Sequence, residues 1–245
     1  MLEVRGLTKQ FGALRASDGI DFDVAEGETH AVIGPNGAGK TTFIGQLAGN
    51  LRPDSGTVRF AGADITAFPA PRRARLGLAR SFQITSIYPD FSVLQNVALA
   101  IQAHSGHSFR FWRDARSDPA LIEPARKVLD RLGLAGRGEV LAANLSHGEQ
   151  RQLEVAIALA TAPRLLLLDE PMAGMGIEES QRMIALLASL KRRHTIILVE
   201  HDMDAVFRLA DRISVLVYGR LIATGTPEKI RANEEVRRAY LGTEA

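Results

Sequence analysis

Short apolar runs near the N-terminus of this chain are separated by glycine and charged residues. They fall at 2–7 (LEVRGL), 20–24 (IDFDV), 29–33 (THAVI) and 56–62 (GTVRFAG). Runs of this length, bounded by turn residues, are typical of short strands. The pattern therefore predicts a small antiparallel β region that leads into the rest of the domain.

The apolar runs in the C-terminal part of the chain are nearly continuous. They lie at 165–168 (LLLL), 195–199 (TIILV) and 212–219 (RISVLVYG), and a helical pattern at 178–193 separates the first two. Continuous apolar runs of strand length are typical of strands buried on both faces of a parallel sheet. Their alternation with helical patterns predicts an α/β fold with helices on the faces of a parallel sheet.

The middle of the chain contains two helical patterns, 91–104 and 119–134, and no apolar strand run between them. Ser92 and Gln95 have the spacing of a capping box, which favours a helix start at this point. The polar, basic segment 105–118 between the two patterns is predicted to be a loop.

These patterns predict a single domain over residues 1–245. We expect its core to comprise residues 1–84 and 161–245, with a helical lobe inserted at about residues 85–160.

The composition excludes several classes of protein. The net charge of +2, with basic and acidic residues interspersed, argues against a nucleic-acid-binding protein. The absence of cysteine excludes disulfides and thiolate metal sites. No apolar run approaches the roughly 18 residues of a membrane-spanning helix, and the first residues (MLEVRGLTKQ) contain no apolar signal segment. We therefore expect a soluble protein, and if it works at a membrane, something else must hold it there.

The segment 34–42 (GPNGAGKTT) matches G-x-x-x-x-G-K-[ST] and lies between a predicted strand and a predicted helix. In such a loop the backbone N–H groups hold phosphates, Lys40 reaches the β- and γ-phosphates, and the Thr41 hydroxyl binds Mg²⁺. The predicted nucleotide-binding residues of this loop are Gly34, Pro35, Asn36, Gly37, Ala38, Gly39, Lys40, Thr41 and Thr42.

Two carboxylates follow the apolar run at 165–168. Asp169 at the strand end is predicted to bind Mg²⁺ beside the phosphates. Glu170 is then placed to orient or deprotonate a water that attacks the γ-phosphate.

Three further residues are weaker candidates when each is taken alone. His201 follows the next strand and could bond the γ-phosphate and hold the attacking water. Gln83 in RSFQ could complete the coordination of Mg²⁺ or of that water. Phe11 could stack on adenine, although a core or surface aromatic is an equally plausible reading.

The segment 145–160 (LSHGEQRQLEVAIALA) begins like a helix that binds an anion. Ser146 can cap the helix, Glu149 can complete a capping box, and Gly148 allows a ligand close to the backbone. Free N–H groups and the helix dipole favour a phosphate there, yet the segment carries no lysine to neutralise one.

The ordered set of motifs resembles the ATP-binding cassette (ABC) ATPases. The set comprises the loop at 34–42, Gln83, LSHGEQ (145–150), LLLLDEP (165–171) and His201. The resemblance implies a P-loop NTPase (RecA-like) core with an N-terminal antiparallel β subdomain and an inserted helical subdomain, which hydrolyses ATP with Mg²⁺.

In that family two cassettes pair head to tail, and the LSGGQ signature of one contacts the γ-phosphate bound by the other. The resemblance therefore assigns Ser146, Gly148 and Glu149 to a nucleotide held by a partner, whose own lysine supplies the missing charge. In this chain His147 replaces the first signature glycine. Gly176 stands where the family usually has an aspartate that couples the two sites.

Within the family the chain resembles the ATPases of branched-chain amino acid importers. The resemblance is carried by RSFQ (80–83), the extended loop near 105–118, EPMAGM (170–175), the segment 199–216 and the ending at 225–242. It implies a peripheral subunit on the cytoplasmic face of the inner (plasma) membrane, bound to permease subunits and a second ABC ATPase, identical or related. A periplasmic binding protein would be an indirect partner.

Other functions remain open at this point. The chain could serve another ABC system, for urea or amide import or lipopolysaccharide export, or a soluble machine such as iron–sulfur assembly. A non-catalytic nucleotide-binding module is a further alternative, against which the intact Lys40, Asp169, Glu170 and His201 argue.

Overall fold

The computed structural model describes residues 1–81, 87–105 and 118–241. Gln83 and most of the predicted loop 105–118 lie outside the described residues. The strands are β1 Leu2–Phe11, β2 Leu14–Val24, β3 Thr29–Ile33, β4 Ser55–Phe60, β5 Ala63–Asp64, β6 Leu78–Arg80, β7 Leu165–Asp169, β8 Thr195–Val199, β9 Arg212–Val217 and β10 Arg220–Gly225. The α-helices are α1 Lys40–Ala48, α2 Ala70–Arg75, α3 Val93–Ser105, α4 Pro119–Arg131, α5 His147–Ala160, α6 Ile177–Leu190, α7 Met203–Leu209, α8 Pro227–Ala232 and α9 Glu234–Val236.

Shorter helical segments complete the chain. They are the 3₁₀ turns Ala135–Arg137 and Ala142–Asn144 and a π-helical segment at Arg237–Leu241. Among the described residues, no helix combines the length and the apolar character that a bilayer crossing requires.

A four-stranded antiparallel sheet with the order β2-β1-β4-β5 forms the N-terminal part of the fold. The prediction is confirmed for the runs at 2–7, 20–24 and 56–62, which form β1, β2 and β4. It is wrong for the run at 29–33, which is β3 of the other sheet, pairs parallel with its neighbours and is buried at every residue. The run 2–7 is extended to Phe11 because β1 continues into a hairpin with β2, where Phe11 pairs with Leu14.

A six-stranded sheet with the order β10-β9-β3-β8-β7-β6 forms the centre of the molecule. The strands from β9 to β6 are parallel, as predicted, and β10 is antiparallel to β9. All residues of β3, β7 and β8 are buried, which explains their continuous apolar runs. The pattern did not predict β10, whose residues are half-buried or exposed and so form no such run.

Helix α1 packs between the two sheets. Its residue Phe43 is fully buried and meets the ring of Phe22 in β2 edge-on, with the ring centroids 5.2 Å apart. The same core contains Leu165 and Leu167 of β7. The alternate residues Leu166 and Leu168 face the opposite side of the sheet and pack in a second core with α6 and α7.

Helices α3, α4 and α5 share a separate apolar core. The predicted capping box starts α3: the Ser92 N–H donates to Gln95 Oε1 at 2.9 Å, and the Gln95 N–H donates to Ser92 Oγ at 3.2 Å. Helix α5 also sends Val155 and Ala158 into the core beneath the central sheet. The three helices are therefore attached to the sheet through α5, and the lobe boundaries near 85 and 160 stay a prediction.

Candidate functional site

The carboxyl ends of three neighbouring parallel strands form the centre of the candidate site. Strand β3 leads into the loop that ends at Lys40, β7 ends at Asp169 and Glu170, and β8 is followed by Glu200 and His201. Carboxyl ends of parallel strands lie at the same edge of a sheet, where α/β proteins bind ligands. The fold therefore brings together the predicted site residues Lys40, Asp169, Glu170 and His201.

The phosphate-binding loop is held tightly against its surroundings. Gly39 has φ 104°, and a Cβ atom there would lie 2.2 Å from the Ala16 carbonyl oxygen, so this position accepts only glycine. The Gly219 N–H donates to the Ala38 carbonyl at 2.9 Å. Helix α1 starts at this loop with neither a side-chain cap nor an acidic residue in its first turn. Its first N–H groups therefore suit an anion.

Lys40 is almost buried and turns back onto its own loop. Its Nζ donates to the carbonyl of Gly34 at 2.7 Å and to that of Pro35 at 3.1 Å. Burial lowers the pKa of this ammonium, while the charges of Glu170 and Asp169 act to raise it. Anionic phosphate oxygens would be stronger partners than these two carbonyls.

Asp169 is buried at the end of β7 and is held from the side of β6. Its backbone N–H donates to Ser81 Oγ at 3.3 Å, and its Oδ2 accepts from Arg80 Nη2 at 3.0 Å. The ion pair is well shielded from solvent, since the side chains of Arg80 and Asp169 are 13% and 1% exposed. The sequence analysis did not predict a role for Arg80.

Glu170 and His201, the two predicted catalytic residues, face each other. The Glu170 N–H donates to the Val199 carbonyl at 2.9 Å, and its φ is +48°, a left-handed conformation uncommon outside glycine. Its Oε1 lies 4.0 Å from His201 Nδ1, and both side chains reach solvent. A water between or beside these groups could be oriented by both.

Glu200 is a buried carboxylate that the sequence analysis missed. It accepts backbone hydrogen bonds from Met172 at 3.0 Å, from His201 at 3.0 Å and from Asp202 at 3.5 Å. Burial raises its pKa, and these N–H groups act in the opposite direction. Glu200 thereby ties the segment after Glu170 to the loop that carries His201.

Phe11 is half-exposed near the tip of the β1–β2 hairpin, where it pairs with Leu14. The Nζ of Lys9 lies 5.6 Å from the centroid of its ring. The carbonyl of Ala16 faces Gly39 of the phosphate loop, and Leu14 at the hairpin tip is two residues, about 7 Å of extended chain, from Ala16. This position suits stacking on adenine, and that role stays a prediction.

The N-terminus of α5 carries the other predicted group. The capping box is confirmed: the Glu149 N–H donates to Ser146 Oγ at 3.2 Å, and the Ser146 N–H donates to Glu149 Oε2 at 2.9 Å. Arg137 Nε donates to Glu149 Oε1 at 2.7 Å, and this bond holds the pKa of Glu149 below its ordinary value. Glu149 is therefore fully engaged within its own chain.

Glu179 of α6 lies against the N-terminus of α5. Its Oε1 accepts from Ser146 Oγ at 3.4 Å, and its Oε2 accepts from the Gly176 N–H at 3.3 Å. A Cβ atom on Gly148 would lie 2.6 Å from Glu179 Oε1, so Gly148 leaves the space that this carboxylate fills. The sequence analysis did not predict this contact, which depends on how two distant helices pack.

The chain matches the family model described as ABC transporter over residues 17–173. It also matches a model described as Branched-chain amino acid ATP-binding cassette transporter over residues 220–245. The high-affinity branched-chain amino acid transport ATP-binding protein BraF of Pseudomonas aeruginosa is 39% identical over 249 residues, covering 99% of this chain and 98% of that relative. The LivG protein of the same description from Escherichia coli K12 is 37% identical over 254 residues, with coverage of 99% and 98%.

Solved structures agree with the sequence relatives. The ADP conformation of an ATP-binding cassette of an ABC transporter superposes with a TM-score of 0.87 at 28% identity, covering 99% of this chain and 98% of that chain. A nucleotide-free cassette from an ABC transporter gives a TM-score of 0.86 at 28% identity, with 98% of each chain covered. The chain therefore belongs to the ABC transporter family, as one of its ATP-binding and ATP-hydrolysing cassettes.

Proposed function

We propose that this chain is the ATP-hydrolysing subunit of an importer for branched-chain or other hydrophobic amino acids. The observation that carries the ATPase part is the convergence of Lys40, Asp169, Glu170 and His201 at one edge of the central sheet. The cargo is supported by the names of the relatives that align over nearly the whole chain.

In the proposed mechanism the loop 34–42 holds the phosphates of ATP through its N–H groups and the free N-terminus of α1. Lys40 exchanges the carbonyls of Gly34 and Pro35 for the β- and γ-phosphates. Phe11, exposed at the nearby hairpin tip, stacks on the adenine.

The described residues fit a Mg²⁺ ion bound with the nucleotide. Thr41 presents an exposed hydroxyl in the first turn of α1, and Asp169 presents a carboxylate that already accommodates a cationic group, the guanidinium of Arg80. Mg²⁺ commonly uses one or two protein oxygens together with phosphate oxygens, and when bound it neutralises phosphate charge. Gln83, outside the described residues, is proposed as a further ligand.

Glu170 is proposed as the general base that takes a proton from the attacking water. His201 is proposed to bond the γ-phosphate and to keep that water in position, since its Nδ1 lies 4.0 Å from Glu170 Oε1. Glu200 fixes the backbone of the His201 loop through its hydrogen bonds.

Ser146, Gly148 and Glu149 are proposed to serve a nucleotide bound by a second cassette, identical or related. The N-terminus of α5 contacts Arg137 and α6 within its own chain. In the proposed dimer Ser146 Oγ and the N–H groups of this helix start contact the partner's γ-phosphate. Gly176 has no carboxylate at the position where the family usually has an aspartate, so it cannot take that aspartate's part in coupling the two sites.

The proposed partners beyond the second cassette are transmembrane permease subunits, which hold the chain at the cytoplasmic face of the inner membrane. A periplasmic binding protein delivers the cargo to those permeases. Helices α3 and α4 belong to the lobe that we propose contacts the permeases.

Purification of the tagged chain from its own membranes tests this proposal. We expect permease subunits to co-purify, and in proteoliposomes we expect leucine-loaded binding protein to stimulate ATP hydrolysis, with the Glu170→Gln variant as the inactive control. Co-purification with a soluble complex, or stimulation by urea or by a lipid substrate instead, would replace the cargo while leaving the ATPase assignment intact.

A further inference from the structure

Arg80 makes an ion pair that no motif of the sequence requires. Strand β6 runs parallel to β7, with Arg80 paired to Leu167 and the Ser81 N–H donating to the Leu167 carbonyl at 2.9 Å. This register fixes the main chain of Arg80 beside the end of β7. Its guanidinium Nη2 then lies 3.0 Å from Asp169 Oδ2, in a setting largely closed to solvent.

The guanidinium of Arg80 is only partly satisfied in this position. Nη2 makes the single contact with the carboxylate, and Nη1 makes a long bond of 3.4 Å to Asn50 Oδ1. Nε is buried and has no hydrogen-bond partner within the described part of the chain. Arginine and carboxylate pairs built for stability are commonly bidentate and fully hydrogen-bonded. The geometry of Arg80 is instead that of a partner that can be exchanged.

The cost of leaving Asp169 without a cation explains why such a partner is present. An ionised carboxylate that is 1% exposed is strongly destabilised when no positive charge is near it. The Lys40 ammonium is near enough for the charge of Asp169 to act on its pKa, but its hydrogen bonds go to Gly34 and Pro35 and not to the carboxylate. Among the residues that the structure describes, Arg80 is the basic residue in hydrogen-bond contact with the carboxylate.

We propose that Arg80 is a built-in counter-cation for Asp169 in the nucleotide-free chain, and that it withdraws from Asp169 when Mg²⁺ and ATP load the site. The inference rests on the proposed function, since it takes Asp169 as a ligand of that Mg²⁺. Two cations beside one carboxylate repel each other, so Arg80 lowers the affinity for the loaded state. In the empty site, the ion pair with Arg80 ensures that the buried charge of Asp169 is not left unpaired.

The test compares ATP affinity with and without Mg²⁺ in the wild-type chain and in Arg80→Gln. Titration calorimetry with ATP in EDTA and with ATP in excess Mg²⁺ gives the ratio of the two affinities for each protein. We expect Arg80→Gln to increase this ratio on the order of tenfold, because Asp169 has lost its internal competitor. Arg80→Lys, which keeps the charge, and Arg75→Gln, which removes an exposed arginine of α2, should stay close to wild type.

Thermal unfolding provides a second measurement that does not depend on activity. We expect the melting temperature of Arg80→Gln to fall below that of wild type without ligand, and the difference to shrink with Mg²⁺ and ATP. If the variant folds only when Mg²⁺ and ATP are added, that result also supports the proposal. A variant that remains unfolded with both present contradicts it.

Equal loss of stability with and without ligand, together with an unchanged affinity ratio, would show that Arg80 is a structural brace and would overturn the inference. A smaller ratio in Arg80→Gln would overturn it as well, because Arg80 would then assist Mg²⁺ binding. If wild type itself binds ATP no better with Mg²⁺ than without, the proposed nucleotide site fails, a result distinct from either of these.

Discussion

The loop at the end of β3 and the N-terminus of α5 are both suited to an anion, yet they differ in charge and in surroundings. The loop has Lys40 within it and Asp169 and Glu170 beside it, and every one of these groups contacts its own chain. The N-terminus of α5 has an exposed serine and carboxylates from Glu149 and Glu179. A lysine in the loop, together with the carboxylate of Asp169 that we propose as a metal ligand, suits the loop to hold a whole nucleotide. The helix start can only complete a phosphate site whose charge is neutralised elsewhere.

Glu170→Gln should give the largest effect, a loss of ATP turnover at the site formed by the phosphate-binding loop and its neighbours. The amide cannot accept a proton, so we expect turnover to fall by about 10²–10⁴-fold while ATP affinity stays close to wild type. Phosphate release and nucleotide titration measure the two quantities. Glu178→Gln, which changes an exposed glutamate of α6, serves as the matched control. Near-normal phosphate release from Glu170→Gln would exclude Glu170 as the general base.

Lys40→Ala should weaken ATP binding itself. Loss of a charge-assisted hydrogen bond costs about 1.5–3 kcal/mol, which corresponds to roughly 10–150-fold in affinity. Calorimetry measures this change, and Lys229→Ala on the exposed side of α8 controls for loss of a positive charge. An ATP affinity equal to that of wild type would show that the loop 34–42 is not part of the nucleotide site.

Ser146→Arg tests whether the N-terminus of α5 acts on another chain. We expect ATP binding to the monomer to be unaffected and hydrolysis to be blocked. Loss of the cap costs only roughly 0.5–2 kcal/mol, so the fold should survive. Ser189→Arg, at an exposed position of α6, is the control for the added side chain. Monomer binding weakened as much as in Lys40→Ala would contradict a role in trans.

A mixture of Ser146→Arg and Lys40→Ala chains sharpens this test if the chain pairs with itself. One composite site of a mixed dimer then carries both lesions and the other carries none. Random pairing makes half of the dimers mixed, so we expect about a quarter of wild-type activity. Recovery should be absent from either variant alone. If activity does not recover although mixed dimers form, then either both sites must be intact for hydrolysis or the N-terminus of α5 acts within its own chain.

Glu200→Gln should give the smallest effect, a decrease in the free energy of unfolding. The amide keeps one acceptor oxygen, so at least one of the N–H groups of Met172 and His201 loses its partner, at a cost of about 1–3 kcal/mol. Urea unfolding measures it, with the exposed Glu26→Gln as control. An unfolding free energy equal to that of Glu26→Gln would show that these N–H groups find other partners.

The same variant has a predictable pH dependence. Burial raises the pKa of Glu200 above its ordinary value, so in the folded chain the ionised form is disfavoured. Its contribution to stability therefore becomes more favourable as the pH falls through the raised pKa toward the ordinary one. Wild type should gain stability relative to Glu200→Gln as the pH is lowered from neutral toward the ordinary pKa of a glutamate. A difference that is constant with pH would show that Glu200 does not titrate in this range.

The fold was predicted best where burial is complete. The runs THAVI and TIILV match β3 and β8 to the residue, because every position of these two strands is buried and the strands therefore appear as unbroken runs. Strand β10 was not predicted. Its residues, such as Leu221 and Ile222, are half-buried or exposed and form neither a continuous apolar run nor a regular apolar and polar alternation.

Features of the site were predicted where their geometry depends only on residues close together in the sequence. The capping box of Ser146 and Glu149 follows from a spacing of three residues, and the structure confirms it. The partners Arg80 and Glu179 were not predicted, because their contacts depend on strand register and on helix packing between distant parts of the sequence. The roles of the motif residues toward ATP stay predictions until the variants above are measured.

The contact between Glu179 and the start of α5 links the helical lobe to the core of the fold. The carboxylate bridges α5, which carries the helical lobe, and Gly176 at the start of α6, which follows Glu170 in the core. Both of its hydrogen bonds are long, at 3.4 and 3.3 Å, and both are partly exposed, so they stretch or break at little energetic cost. The apolar packing of α5 holds the lobe on the sheet, and these bonds can yield when the lobe tilts. A tilt of α5 is thereby linked to the segment that follows Glu170, the proposed general base.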